Sequence, residues 1–445
     1  MNSIEEKNEI KENDKNKENI KKIGEQESNK KKKLTKNKSK NKFKSKEKLI
    51  NPQNNNENII IINASNESKE IIQLKEEIRK NEKKLKRTNP QHFELINNLT
   101  KSEINYRVDN TFEIFNSICG YICLVYAYKL EDKYNSIATY DITDCKTLCV
   151  MKNAHKEDIT NFRHYLDKAN NRDLILSISA ANNNVKMWDI NNLEYLLTIN
   201  NINMHGFTKS ACILNFNNDL FVVTSNYSYS EVPEPIKLYN LEGYKIKEIN
   251  YKNNQTYFID IYHDKKSDIK YIITGNLGFV RTYNYSNDCK YHRYNDYDGE
   301  YEHYKVIIFE KEDIIKIIAT GKNGEVLIWD FHSTELLKRI KVNEIDYDNL
   351  YGICLWNREL LFVGCGNSLK VLDLEKEKVV NTLIGHSHNV ITIKTAFHPQ
   401  YGECVVSQEL YTGQMKLWMN KAYKLKRIIE ELNEKLRLNT LPVNN

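Results

Sequence analysis

A short motif recurs seven times along this chain and limits the folds available to it. The segments VKMWDI, VLIWDF and MKLWMN carry tryptophan at positions 188, 329 and 418, each at the end of an alternating apolar run. Weaker copies in the same register are Tyr140-Asp141, Tyr239-Asn240, Tyr283-Asn284 and Leu372-Asp373. Successive copies are 43 to 51 residues apart. Seven copies at nearly constant spacing indicate a repeat array.

Each period contains four apolar segments of strand length, separated by turn residues. In the fifth period these segments cover 303–310, 313–321, 324–330 and 335–342, with Asn323-Gly324 as the turn before the third. Four strands in a period of roughly 40–50 residues predict one blade of a β-propeller. Closing the blades into a ring leaves no long unpaired sheet edge.

Over about residues 104–420 the chain resembles the WD-repeat family, on the three tryptophan motifs and on Gly385-His386 before SHNVITIKTAFHP. The resemblance implies an all-β, seven-bladed propeller in which an amino-terminal strand completes the last blade. Two segments could supply that strand, EINYRV at 103–108 and AYKLKRI at 422–428. We expect 103–108, because apolar residues at helical spacing predict an amphipathic helix over 421–438.

The resemblance also implies a structural role for its motif residues. In the family, the Trp of the third strand packs beside a Ser or Thr of the second strand and near a His that precedes the first strand. That His forms a hydrogen bond with an Asp in the turn, six residues before the Trp. The matching sets here are Trp188 with His155, Trp329 with His303, and Trp418 with His386 and Ser407. No period has Asp at the turn position, which is Asn in two of them, at 182 and 323. We therefore expect a propeller held mainly by packing, without that charge-assisted bond.

The marker acids favour a structural interpretation over a catalytic one. Asp189, Asp330 and Asp373 stand one to a blade, whereas carboxylates that share acid–base chemistry must lie within several ångströms of each other. His386-Ser387-His388 lacks an evident third metal ligand, and no Gly-Lys-Ser/Thr phosphate loop occurs. We expect neither catalytic residues nor a bound cofactor or metal.

Two aromatic insertions are candidate partner-contact loops. SNYSYSEVPEP covers 225–235, and YHRYNDYDGEYEHY covers 291–304. Tyr and Arg on loops of a rigid scaffold are favoured in interfaces, although each insertion could also be a neutral elaboration of the surface. The candidate contact residues are Tyr227, Tyr229, Tyr291, Arg293 and Tyr297.

The amino-terminal segment differs in composition from the repeats. Residues 1–66 are rich in Lys, Asn and Glu, which predicts disorder. Lys30–Lys48 contains eleven lysines and one Glu, which is a net charge of +10. Because the whole chain has a formal net charge of +6, the other residues together carry −4. This tract could bind RNA or an acidic partner, act as a nuclear localisation signal, or be a solvated tail. The repeat region itself is not basic.

Helical segments are expected to flank the propeller. Within 67–100, a heptad pattern over 67–87 places Ile71, Leu74, Ile78, Asn81 and Leu85 on one face. Such a helix could lie on the domain or mediate self-association. A second helix is expected to start at NPQHFELINNL, with Asn89 as its N-cap.

The amino terminus has no apolar signal segment, and no apolar run reaches the roughly 20 residues that span a bilayer. We therefore expect an intracellular protein without a membrane association, in the cytoplasm or the nucleus, with nine reduced cysteines. The leading hypothesis is a non-catalytic scaffold that mediates protein–protein interactions and complex assembly. The alternatives are a nuclear or nucleolar RNA-associated factor that uses the basic tail, and an enzyme that uses the central channel.

Overall fold

The computed structural model describes most of the repeat region and the two helices beside it. The described residues are 69–89, 91–99, 112–129, 134–179, 181, 183–192, 194–200, 206–228, 234–250, 255–295, 303–321, 324–342 and 350–440. Contacts divide the chain into a unit Met1–Asn66 and a unit Glu67–Asn445. The predicted disordered tail and its lysine tract lie outside the described residues.

The described strands form seven antiparallel sheets of four strands each, which are the blades. Blade 1 contains β2 (Glu113–Asn116), β3 (Ile122–Lys129), β4 (Asn135–Asp141) and β5 (Lys146–His155). Blade 2 contains β6 (Asn161–Asp167), β7 (Arg172–Ser179), β8 (Asn184–Asp189) and β9 (Glu194–Asn200). Blade 3 contains β10 (Gly206–Phe216), β11 (Asp219–Ser228), β12 (Ile236–Tyr239) and β13 (Lys245–Ile249).

The other blades repeat this order. Blade 4 contains β14 (Thr256–Asp264), β15 (Ile269–Asn276), β16 (Phe279–Asn284) and β17 (Lys290–Asn295). Blade 5 contains β18 (His303–Lys311), β19 (Ile314–Gly321), β20 (Glu325–Asp330) and β21 (Leu336–Lys341). Blade 6 contains β22 (Leu350–Trp356), β23 (Leu360–Cys365), β24 (Ser368–Asp373) and β25 (Lys378–Ile384). Blade 7 contains β26 (Val390–His398), β27 (Gly402–Glu409), β28 (Met415–Asn420) and β1 (Phe93–Asn98).

The core of the ring lies between blades. The first strand of each blade packs against the first strand of each neighbour, including β26 of blade 7 against β2 of blade 1. Seven apolar clusters occur among the described residues, and each joins two adjacent blades. Both faces of every sheet are therefore covered, which explains the apolar runs of the second and third strands. The predicted seven-bladed, all-β fold is confirmed.

The strand that closes the ring is not the expected one. β1 pairs antiparallel with β28, from Phe93 opposite Asn420 to Asn98 opposite Lys416. Phe93 is buried, with its ring 5.2 Å from that of Trp356 and 4.8 Å from that of Phe362. The expectation that 103–108 closes the ring is wrong, and those residues lie outside the described ones. The alternative at 422–428 is wrong as well, because those residues are helical.

The helix expected from Asn89 is also wrong. The Asn89 side chain does accept the backbone N–H of Gln91 at 3.0 Å, and its carbonyl accepts the N–H of His92 at 3.1 Å. These bonds close a single turn, after which the chain enters β1. Pairing with β28 and burial of Phe93 override the local helix signal, as tertiary context often does.

Two helices stand beside blade 7. Helix α1 covers Lys69–Leu85, and helix α2 covers Lys421–Thr440, which confirms the predicted carboxy-terminal helix. The helices pack against each other, and the predicted heptad face of α1 is its less exposed side, with Ile78 buried. On α2, Ala422, Leu425 and Leu432 are buried, at spacings of three and seven residues that also fit a heptad. The heptad face of α1 therefore has a partner within its own chain.

Candidate functional site

Blade 2 contains the expected hydrogen-bonded group of a tryptophan, a serine and a histidine. The Trp188 indole N–H donates to the Ser177 hydroxyl at 2.8 Å, and His155 Nε2 lies 2.7 Å from the same oxygen. Burial, with Lys186 nearby, lowers the pKa of His155 to about 3, so the ring is neutral and Nε2 can accept a hydrogen bond from the hydroxyl. Ser177 is the second-strand hydroxyl that the resemblance implied for this blade. The set joins the end of blade 1 to blade 2, because His155 closes β5.

Blade 7 builds the same set and adds a carboxylate. The Trp418 indole N–H donates to Ser407 Oγ at 2.8 Å, His386 Nε2 lies 2.7 Å from that oxygen, and His386 Nδ1 lies 3.0 Å from Glu409 Oε2. Although burial alone would raise the pKa of Glu409, bonds from Thr412, Ser387 and His386 lower it to about 2. Burial lowers the pKa of His386 to about 4, so a neutral ring donates to a carboxylate.

Glu409 therefore corrects the expectation that this propeller lacks a charge-assisted bond to histidine. The turn position six residues before Trp418 is Thr412, as the sequence shows, and its hydroxyl donates to Glu409 Oε1. The acid thus comes from the end of the second strand and reaches the histidine from there. A search for acids at the turn position alone misses this residue, which the pattern Ser-Gln-Glu at the end of β27 could have suggested.

Blade 5 uses a different bond. Trp329 is fully buried, and its indole N–H donates to the backbone carbonyl of Asn295, the last residue of blade 4, at 2.9 Å. The backbone of His303 begins β18, and its side chain lies outside the described structure. Trp329 thus joins two blades through a main-chain acceptor.

The marker Asp and Asn residues close hairpins between third and fourth strands. Asp330 Oδ1 accepts the backbone N–H groups of His332 at 3.0 Å and Ser333 at 2.7 Å. The same side-chain-to-backbone closure recurs at Asp141, Asp189, Asn240, Asn284 and Asp373. Side-chain-to-backbone bonds of this kind explain why an acid or amide recurs at six of the seven markers. In blade 7, Met419 occupies the position, and Asn420 instead caps helix α2 by accepting the N–H of Tyr423 at 2.9 Å.

A buried carboxylate that the motifs did not single out ties blade 1 to blade 2. Asp173 accepts the Ser117 hydroxyl at 2.8 Å and the Ile118 N–H at 3.0 Å, and it lies 2.8 Å from His164 Nε2. The His164 ring stacks on Phe115 at 3.7 Å between centroids. Burial alone would raise the pKa of Asp173, but the bonds from His164, Ile118 and Ser117 lower it. The serine bonds the acid rather than the imidazole, so this trio lacks the order of a nucleophilic triad.

First strands bring further charges to the ring centre. Lys394 of blade 7 pairs with Glu113 of blade 1 at 3.0 Å. Burial alone would raise the pKa of Glu113, but Lys394 and Arg163 hold it below its usual range. Burial, with Arg163 and Lys394 nearby, lowers the pKa of Lys305 well below its usual value. Three cations from blades 2, 5 and 7 thus lie close enough to repel one another.

The two candidate contact loops belong to adjacent blades. Tyr227 lies near the end of β11 in blade 3, and its ring meets that of Tyr257 of blade 4 edge-on at 5.4 Å. Tyr291 and Arg293 lie on β17, the outer strand of blade 4, and not in a loop as expected; both are exposed. Tyr229 and Tyr297 lie outside the described residues. The structure therefore describes three of the five predicted contact residues, one on blade 3 and two on blade 4.

Guanidinium groups and rings stack on blade 4. The Arg281 guanidinium lies 4.5 Å from the ring centroid of Phe279 and 4.8 Å from that of Tyr291, and Arg293 lies 4.1 Å from Phe279. Arg281 and Arg293 face each other in the strand pairing, and Phe279 and Arg281 are buried. We call these four residues the rim cluster. Buried anchors thus hold an exposed arginine and tyrosine in place.

Neither described helix has the length and apolarity needed to cross a bilayer. Within the described part of the chain, no group of three or more His, Cys, Asp or Glu side chains is placed to hold a metal ion. Among the comparisons with known proteins, neither the protein-family models nor the curated proteins give a match to this chain.

Proposed function

We propose that this chain is a non-catalytic scaffold of the WD-repeat type, whose propeller binds an acidic region of another protein through the rim cluster. The observation that carries the proposal is the stacking of Arg281 and Arg293 on Phe279 and Tyr291. Arginine and tyrosine dominate the energetics of many interfaces, particularly where neighbouring groups restrict their motion before binding.

The charge of the rim cluster favours an acidic partner. The Arg293 side chain is exposed, and no salt bridge joins it to another described residue. Stacking on Phe279 fixes the plane of its guanidinium, which presents several N–H donors to a carboxylate.

Matched substitutions on the intact chain test this proposal. Arg293→Glu and Tyr291→Ala are expected to reduce the recovery of co-purifying proteins at least about tenfold, the loss of one interface hot spot. Lys290→Glu makes the same charge change at the first residue of β17, where alternation along the strand places the side chain on the opposite face from Tyr291 and Arg293. Tyr244→Ala removes a tyrosine that is 70% exposed on the hairpin of blade 3. Quantitative affinity purification with mass spectrometry measures recovery. Equal losses in the rim and control variants would contradict the proposal.

The lysine tract carries the alternative proposal of an RNA-associated factor. Deleting residues 1–66 removes that tract and leaves every described residue in place. If the RNA proposal holds, the deletion abolishes RNA recovery after crosslinking and leaves recovery of rim-cluster partners unchanged. If RNA recovery and nuclear accumulation persist without the tract, the alternative is wrong.

A further inference from the structure

A cavity of about 520 Å³ opens beside the central channel between blades 2, 3 and 4. Its volume is in the range of small-molecule sites, roughly 300–1,000 Å³. The walls come from β6, β10 and β14, together with the turn after β10 and the start of β15. The polar side chains used below are Arg163, Asn215, Asn218, Asp260 and Lys270.

Arg163 is the side chain that marks this cavity as a binding site. It is only 8% exposed, and its guanidinium lies over the ring of Phe258 with Cζ 5.2 Å from the centroid. Its Nε and Nη2 are buried and have no hydrogen-bond partner among the described residues. A buried guanidinium with unmet donors is costly to the fold, and an anion that accepts those donors offsets the cost.

Other charges near Arg163 add to the positive potential. Lys270 lines the cavity and donates to the backbone carbonyl of Asn215 at 2.5 Å. Lys305 Nζ lies 5.6 Å from the centroid of the same Phe258 ring. The one carboxylate in the cavity wall, among the described residues, is Asp260, whose Oδ1 accepts the N–H of Ile261 at 2.8 Å. Among the described residues that line the cavity, two cations, Arg163 and Lys270, therefore stand against one carboxylate, Asp260.

We propose that this cavity binds a small phosphorylated compound, with the phosphate received by Arg163 and Lys270. A guanidinium presents paired N–H donors that match two phosphate oxygens, and a nearby ammonium suits the second charge of a dianion. The amides of Asn215 and Asn218 supply further donors, and the remaining volume admits the organic part of a phosphate ester. This inference is independent of the rim cluster, which lies on other residues.

Titration calorimetry on the full chain tests the site with inorganic phosphate and ribose 5-phosphate as probes and acetate as the carboxylate control. The wild type is expected to bind one equivalent of each phosphate probe, ribose 5-phosphate more tightly, and acetate at least about tenfold more weakly. Arg163→Met is expected to weaken phosphate binding at least about tenfold, whereas Asp260→Asn, which removes a repelling charge, is expected to strengthen it.

Two controls separate binding from folding. Lys316→Met removes a lysine that lines a different cavity, between blades 5 and 6, and is expected to leave phosphate affinity unchanged. Arg163→Met is expected to unfold at the wild-type temperature or above it when no phosphate is present, because it removes a buried unpaired charge. The proposal is overturned if the wild type shows no saturable phosphate binding up to about 10 mM, or if Arg163→Met binds phosphate as the wild type does.

Discussion

At the residue scale, the three marker tryptophans have one environment and two bonding schemes. Trp188 and Trp418 donate to serine hydroxyls, whereas Trp329 donates to a backbone carbonyl. All three are buried between blades. Their positions follow from the alternation of the third strand, which is visible in the sequence. The identity of each acceptor depends on which neighbouring blade comes within reach, and repeat spacing does not reveal it.

Trp329→Ala is expected to lower the free energy of unfolding by about 3–5 kcal/mol, since it leaves a large cavity and an unpaired carbonyl at Asn295. Asp330→Asn is expected to cost less than about 1 kcal/mol, because an amide oxygen closes the equivalent hairpins at Asn240 and Asn284. Urea denaturation followed by tryptophan fluorescence and by circular dichroism measures both. A cost for Asp330→Asn comparable to that of Trp329→Ala would refute this account of the markers.

The pair His386 and Glu409 predicts acid sensitivity. The pKa of His386 is lowered from 6.5 to about 4 in the folded chain. As the pH drops from 6.5 to 4, the unfolded chain is therefore protonated at this histidine before the folded chain is, and the free energy of unfolding falls. The pKa of Glu409 is lowered to about 2 from 4.5, so its contribution is present above pH 4.5 and is lost as the pH drops toward 2. Both groups therefore make the fold less stable in acid than at neutral pH.

Glu409→Gln is expected to lower the free energy of unfolding at pH 7 by on the order of 2 kcal/mol, and to flatten its decline below pH 4.5. Urea midpoints at a series of pH values measure this. Glu434→Gln is the control, because the pair of Glu434 with Arg437 is exposed on α2 and its loss should change the pH curve far less. If the stability of Glu409→Gln falls below pH 4.5 as steeply as that of the wild type, the bond between His386 and Glu409 does not cause the acid sensitivity.

At the element scale, the helix α1 illustrates how much a heptad pattern establishes. The pattern correctly predicted a helix and identified its less exposed face from Ile71 to Leu85. It did not reveal whether that face meets a second copy or the same chain. The structure answers this for a single chain, because β1 and β28 pair and so place the end of α1 beside the start of α2.

Ile78→Asp is expected to separate the helices, because it places a charge in the contact between α1 and α2, where the Ile78 side chain is 7% exposed. Hydrogen exchange of amides in α1 and α2 should accelerate at least about tenfold, while exchange in blades 2 to 5 stays at the wild-type rate. Lys80→Asp introduces the same residue on the exposed face and serves as the control. If exchange in α2 is unaffected by Ile78→Asp, the helices do not stabilise each other.

At the scale of the whole molecule, stability depends on closing the ring. Blade 7 takes three strands from the end of the propeller and its outer strand, β1, from residues about 290 to 330 positions earlier in the chain. This pairing buries Phe93 and leaves β28 without a free edge. Strand pairing of such long range is costly to form and makes unfolding of the ring cooperative.

A chain that begins at residue 67 is therefore expected to keep the propeller. A chain that begins at residue 100, which retains 103–108 and lacks β1, is expected to aggregate or to unfold at a much lower temperature. Phe93→Ala tests the same contact with one change and should cost about 3–5 kcal/mol, whereas Leu95→Ala, at a side chain that is 43% exposed, should cost less than about 1 kcal/mol. Calorimetry measures both comparisons, and equal stability of the two truncated chains would exclude closure by β1.

The sequence by itself determined the number of blades, their order, the position of each third strand and the carboxy-terminal helix. These features rest on local periodicity and on turn residues at regular spacing, which act over a few residues. Only the tertiary structure decided the closing strand, the acid that reaches His386, the contact between the helices and the convergence of Arg163, Lys305 and Lys394. Each of these joins residues that are distant in the chain, and their proximity follows from the curvature of a closed ring rather than from any local preference.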